Sequence, residues 1–161
     1  MAEHTIYYKN QPRIVSAYAV AGPKEGAGPI GRHIQKILED DKFGEKTYEK
    51  AECKILRTAI EGAISSARIE IKDVGALFSG DLLNQIISAS FAAREFDMPF
   101  VGLYSACSTM SEAMMVSSAF WIPSSYAMPS PQRAVTFLRQ NVNIVTPWSL
   151  AVLDHRNRNG R

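Results

Sequence analysis

A chain of 161 residues suits one domain with its own hydrophobic core. Its 46% hydrophobic and 21% charged residues are ordinary for a globular protein, and a net charge of +2 with no run of like charge argues against a nucleic-acid partner. No stretch approaches the roughly 18 apolar residues of a spanning helix, and "MAEHTIYYKN" lacks the basic and apolar segments of a signal peptide. Cys53 and Cys107 are therefore expected to be reduced thiols in an intracellular chain.

"RIVSAYAV" (13–20) is apolar and β-branched enough for a strand, and "AGPKEGAGPIG" (21–31) after it is a loop by its Gly and Pro content. Residues 44–67 read as a long helix with Thr47 as a candidate N-cap. Ala51, Ile55, Ala59, Ala63 and Ala67 recur every four positions, with Leu56, Ile60 and Ile64 beside them, as one core-facing stripe. "DVGALFSG" (73–80) is the next strand, and "DLLNQIISASFAAREF" (81–96) the next helix, with Asp81 able to cap it. "MPFVGLY" (98–104) reads as a third buried strand, and "STMSEAMMVSSAF" (108–120) as a buried helix. Strands alternating with helices imply parallel pairing in a layered α/β domain, with ligands beyond the carboxyl ends of the strands. Asp81 and Cys107 both lie at such ends.

Cys107 sits among small residues in "YSACSTMSE", at a strand-to-helix seam. Helix-start amides favour a thiolate there and suit an oxyanion. Ser105, Ala106 and Ser108 leave room for an acyl group or a planar acid. The plainer alternative is a buried structural thiol, since free cysteine is among the most buried residue types. A catalytic cysteine also needs a base, and none of His4, His33 and His155 stands in a context that suggests one. "GDLLNQ" (80–85) brings Asp81, Asn84 and Gln85 to one helix start, where a simple cap would already account for Asp81. The 21–31 loop lacks the spacing of a phosphate-binding motif. Met110, Met114 and Met115 are core filler with no acid or His cluster beside them, and Cys53 is expected to face the core or its edge. Nothing calls for a metal or a cofactor.

"AGPKEGAGPIG", "SGDLLNQI" and "MPFVGLYSACSTMSEAMMVSSA", in this order and spacing, resemble the N-terminal part of the stage V sporulation protein AD family, within the thiolase-like superfamily. The resemblance covers residues 12–119. It implies an α/β fold, an incomplete N-terminal half of the thiolase-like layered arrangement. It implies a protein that binds dipicolinic acid in the pocket matching a thiolase active site, and not an enzyme. The ligand-binding candidates are then Cys107, at the nucleophile position, with Ser108, Asp81 and Asn84. The implied partners are membrane-associated proteins of the same sporulation operon, with a homodimer in the full-length family. The implied location is peripheral, on the cytoplasmic side of the forespore or spore inner membrane. The alternative is an acyl-transfer or condensing enzyme using Cys107 as nucleophile, for which a histidine would have to come from a second half.

Residues 1–120 carry 13 Lys/Arg against 15 Asp/Glu, a net of −2, whereas 121–161 carry five Arg against Asp154, a net of +4. The break falls where the resemblance stops, so the chain divides into a 1–120 thiolase-like half and a 121–161 tail expected to be irregular. Read one base out of frame, permitted codons for 135–151 can give "RHFSSAERQYRYPLEFG", similar to what the family carries beyond this point. The expectation is a truncated copy with a frameshifted tail. "WIPSSYAMPSPQ" disfavours regular structure, "VTFLRQNVNIV" could form a strand, and "LDHRNRNGR" should fray.

Overall fold

The structure, a computed structural model, describes residues 7, 12–83, 85–120, 133–138 and 148–154. The first strand, β1 (Arg13–Ala21), runs into a one-turn helix α1 (Pro23–Gly26), a 3-10 turn at Gly31–His33 and the short strand β2 (Lys36–Ile37). The 21–31 stretch is thus a tightly folded loop. A Cβ at Gly31 would collide with the Gly26 carbonyl oxygen, so that position requires glycine.

Helix α2 (Tyr48–Ser66) begins where the capping signal places it, with Thr47 Oγ1 accepting from the Lys50 amide at 3.4 Å. Residues 44–46, expected to be helical, are not: Phe43 and Gly44 have φ of +54° and +73°, outside the right-handed helical region. The apolar stripe faces inward as expected, with Ala51, Ile55, Leu56, Ala59, Ile60 and Ala63 at most 2% exposed. Glu52, also fully buried, is the charged residue the stripe did not anticipate. Gly62 lets the helix close on β1, because a Cβ there would reach within 2.5 Å of the Tyr18 ring.

β3 (Ala76–Ser79) and β4 (Phe100–Gly102) are parallel neighbours, with Leu77 opposite Phe100 and Ser79 opposite Gly102. Between them lies α3 (Ile87–Ala93), and α4 (Thr109–Phe120) follows β4. The two described stretches of the tail are strands. β5 (Arg133–Leu138) overlaps the segment with strand propensity, and β6 (Trp148–Asp154) was not foreseen. Leu150, Val152 and Leu153 give β6 the strand propensity that the polar end of the tail lacks. "WIPSSYAMPSPQ" lies outside the described residues except at its start of β5's approach, where no element is described before Arg133.

The sheet order is β2-β1-β6-β5-β3-β4. β6 is antiparallel to both β1 and β5, and the other pairs are parallel, so every strand except β6 runs the same way. The parallel arrangement expected of the strands that alternate with helices holds for β1, β3 and β4, and the antiparallel strand comes from the tail. Side chains alternate along a strand, and the two apolar clusters divide accordingly. Leu77 joins α2 and α3 on one face, while Ala76 and Phe78 join Leu103 and Ala113 of α4 on the other. The arrangement is the expected layered α/β domain, with helices on both faces of a mixed sheet.

Candidate ligand-binding site

Because β1, β3 and β4 run in one direction, their carboxyl ends share one edge of the sheet. The chain leaves β3 through Gly80, which has no room for a side chain. A Cβ there would collide with the Leu103 carbonyl oxygen and come within 2.9 Å of Thr109 Cγ2. The turn after β3 is therefore pressed into the turn after β4.

Asp81 follows and is only 2% exposed. Its Oδ1 accepts from the Ile86 amide at 3.1 Å and its Oδ2 from the Ala89 amide at 2.8 Å. The helix expected from residue 81 begins instead at Ile87, because Gln85 and Ile86 are left-handed, with φ of +50° and +76°. Asp81 still caps that helix, across an intervening turn. Ile86, at the N-cap position, makes no side-chain cap of its own. Asn84 lies outside the described residues.

Beyond β4, Leu103 is buried and Tyr104 is 60% exposed. Ala106–Ser108 form a 3-10 turn that leads into α4, and Ala106 is left-handed with φ of +45°. A non-glycine residue there stores strain, which tends to collect at functional turns. Ser108 Oγ donates to the Ser105 carbonyl at 2.7 Å, and the two hydroxyls lie 2.6 Å apart, so Ser105 Oγ is left to donate to Ser108 Oγ. Thr109 Oγ1 donates to the Ala106 carbonyl at 2.8 Å. Cys107 projects from this turn with its side chain exposed, which removes the buried-thiol alternative.

Cys53 behaves differently. It is half-buried on α2 and its thiol donates to the Ser88 carbonyl at 3.4 Å. Burial pushes its pKa up, and the negative charges of Glu52, Asp81 and Glu95 act in the same direction. It lines a groove of about 590 Å³ between α2 and α3, whose walls include Lys50, Arg57, Ile87 and Phe91. Cys107, Ser108 and Asp81 are not among the residues of that groove.

His33 is the one histidine among the described residues, and its Nε2 accepts from Arg32 Nε at 3.0 Å. His4 and His155 lie outside them. Among the described residues no cluster of three His, Cys, Asp or Glu could hold a metal ion, and no helix is long and apolar enough to cross a membrane.

A layered α/β domain with a strand-to-helix cysteine turn is the frame of the thiolase-like proteins. The solved structure of AbyA1, a tetronic acid condensing enzyme, superimposes with a TM-score of 0.57 over 89% of this chain and 51% of its own, at 17% identity. That likeness defines the fold. At the level of sequence, the family model for stage V sporulation protein AD matches residues 2–130, and the chain belongs to that family. Stage V sporulation protein AD of Bacillus subtilis (strain 168) is 35% identical over 117 residues, which cover 73% of this chain. The chain spans about a third of that relative's length (33%). The family match runs past Ala119, where the resemblance was expected to stop.

Left-handed Gln85, Ile86 and Ala106 are the features of the site that the sequence did not announce. None is a residue type that signals a positive φ, so no local pattern marks them.

Proposed function

We propose that this chain carries the ligand end of a dipicolinate-binding sporulation protein, and that it binds its ligand without transforming it. The observation that supports this most directly is the turn beyond β4. An exposed Cys107 stands beside the Ser105–Ser108 hydroxyl pair at the start of a twelve-residue helix. Dipicolinic acid is a planar ring with two carboxylates. Helix-start amides suit a carboxylate, and the small side chains around Cys107 leave a flat ring room to approach. Acyl transfer would also need a base, and the lone pair of His33 Nε2 is already engaged by Arg32.

On this reading the site works with membrane-associated proteins of the same operon, peripherally, at the cytoplasmic side of the forespore inner membrane. Residues 121–161 are an out-of-frame tail, and the copy is impaired. The abrupt change from a net of −2 to a net of +4 and the overlapping codons support that part.

Calorimetric titration with dipicolinate, of this chain and of the Bacillus subtilis relative, tests the proposal. Saturable binding is expected in both, at least tenfold weaker here, and Cys107→Trp should abolish it here by filling the turn. No heat at millimolar dipicolinate would overturn the binding reading. An acyl adduct on Cys107 that forms from a thioester and turns over would select the condensing-enzyme reading instead. Genomic DNA around codon 119 tests the tail separately: an intact second reading frame coding for a thiolase-like continuation is expected, and its absence would overturn the frameshift.

A further inference from the structure

Asp81 is a candidate ligand residue by position, yet its carboxylate is buried and bonded to the main chain. It is 2% exposed and holds two main-chain amides, five and eight residues further along the chain. Those bonds tie Ile86 and the first turn of α3 back to Asp81. The stretch before α3 ends in two consecutive left-handed residues, Gln85 and Ile86, and the second is β-branched. Such a pair persists only where the surroundings enforce it, and the bond from the Ile86 amide to Asp81 is one such restraint.

The consequence reaches the neighbouring strand. Ile86, fixed by Asp81, lays its Cγ2 over Gly102, the last residue of β4, so closely that a Cβ at Gly102 would stand 2.8 Å from it. One residue on, the Leu103 amide donates to the Ser79 carbonyl at 2.9 Å, and Gly80 abuts both Leu103 and Thr109. Residues 102–109 contain the whole turn that presents Cys107. A chain of contacts thus runs from the Asp81 carboxylate through Ile86 to Gly102 and the cysteine turn.

We infer that Asp81 is a positioning residue for the Cys107 site: its carboxylate holds the Ile86 and Ala89 amides and, through Ile86 seated on Gly102, fixes the β4–α4 turn that carries the thiol. The inference rests on the reading of that turn as the ligand site, but its geometry is testable without ligand. Asp81→Asn keeps an acceptor for one amide and loses the other, and Asp81→Ala loses both. Hydrogen exchange at the Leu103 amide should rise at least tenfold in Asp81→Ala and less in Asp81→Asn. The alkylation rate of Cys107 by iodoacetamide should move at least threefold in the same order. Ile60→Val, a core change on α2, serves as the stability control and should leave both readouts within twofold. If Asp81→Ala unfolds outright, Ile86→Gly breaks the same chain of contacts while relieving the left-handed strain, and should move both readouts alike. Exchange and alkylation within twofold of wild type in Asp81→Asn and Ile86→Gly would overturn the inference. Dipicolinate separates the two ideas. If wild type does not bind it while these readouts move, the ligand assignment fails and the positioning role stands. If wild type binds it and the variants bind equally well, the positioning role fails alone.

Discussion

On one face of the sheet, α2 and α3 lay a continuous apolar stripe over Val20 and Leu77, and Ile55, Leu56, Ile60 and the alanines between them are buried almost completely. On the other face, α4 meets β3 and β5 around Phe78, Leu103 and Ala113, with Val101 and Val116 only partly covered. Met115 of α4 remains 66% exposed and Val15 of β1 46% exposed. Ser16, Tyr18 and Val20 point to the α2 side, so alternation sends Ala17 to the other, where it too is exposed. The first face is completed by helices adjacent in sequence. The second holds the smaller buried cluster among the described residues. Apolar surface left open in this way favours association.

The largest test of that contrast is a pair of core truncations. Ile60→Ala removes a fully buried side chain from the α2 face and should cost about 3–4 kcal/mol in denaturant unfolding, within the range for buried Ile→Ala. Val116→Ala removes two methyls from a partly buried position on the α4 face and should cost about 1 kcal/mol or less. Comparable losses at the two sites would mean that the faces are equally filled.

The thiols provide the next test, because each stands in one of the two environments. Cys53 is half-buried against α3 and its pKa is raised, by burial first. A raised folded-state value means that the protonated thiol is favoured on folding. Its contribution to stability is complete below the unfolded thiol pKa, about 8.5, and is lost as pH rises through the folded value. Melting temperature should therefore fall on the alkaline side of that range, and Cys53→Ala should flatten the fall. Iodoacetamide at neutral pH should label exposed Cys107 well before Cys53. Equal labelling rates would mean that the α2–α3 groove opens freely.

Most of the secondary structure is legible in the sequence. The four-residue recurrence in α2 and the Thr47 signal are local, and both appear as read. β3 and β4 are short apolar runs whose neighbours are helical, and they pair in parallel as that alternation requires. What escaped was set by distant contacts. The late start of α3 depends on a carboxylate bonding five and eight residues ahead, a reach that no window pattern contains. β6 gains its place by pairing with β1, more than a hundred residues earlier in the chain. The strand-end position of Cys107 could be read from the seam between two patterns, but its exposure could not. The helix expected from residue 108 would bury its thiol as readily as present it, and the 3-10 turn with a left-handed Ala106 is what turns it outward.

The smallest expected effect concerns what binds α2 to α3. Arg57 of α2 reaches Glu95, just beyond α3, with Nη1 and Oε2 at 2.6 Å, and that hydrogen bond is the first cause of its raised pKa. The pair spans the rim of the groove, with the two side chains 38% and 49% exposed. Water screens an ion pair so placed, and ordering two long side chains costs entropy, so such pairs contribute about 0–1 kcal/mol. The stem of Arg57 can still cover apolar surface at the helix junction. Arg57→Met keeps that stem and removes the charge. It should change unfolding free energy by less than about 1 kcal/mol, and the difference from wild type should shrink further as salt is raised. If the substitution instead costs as much as Ile60→Ala, the α2–α3 face is held by its charged rim, and its advantage over the α4 face no longer rests on buried apolar area.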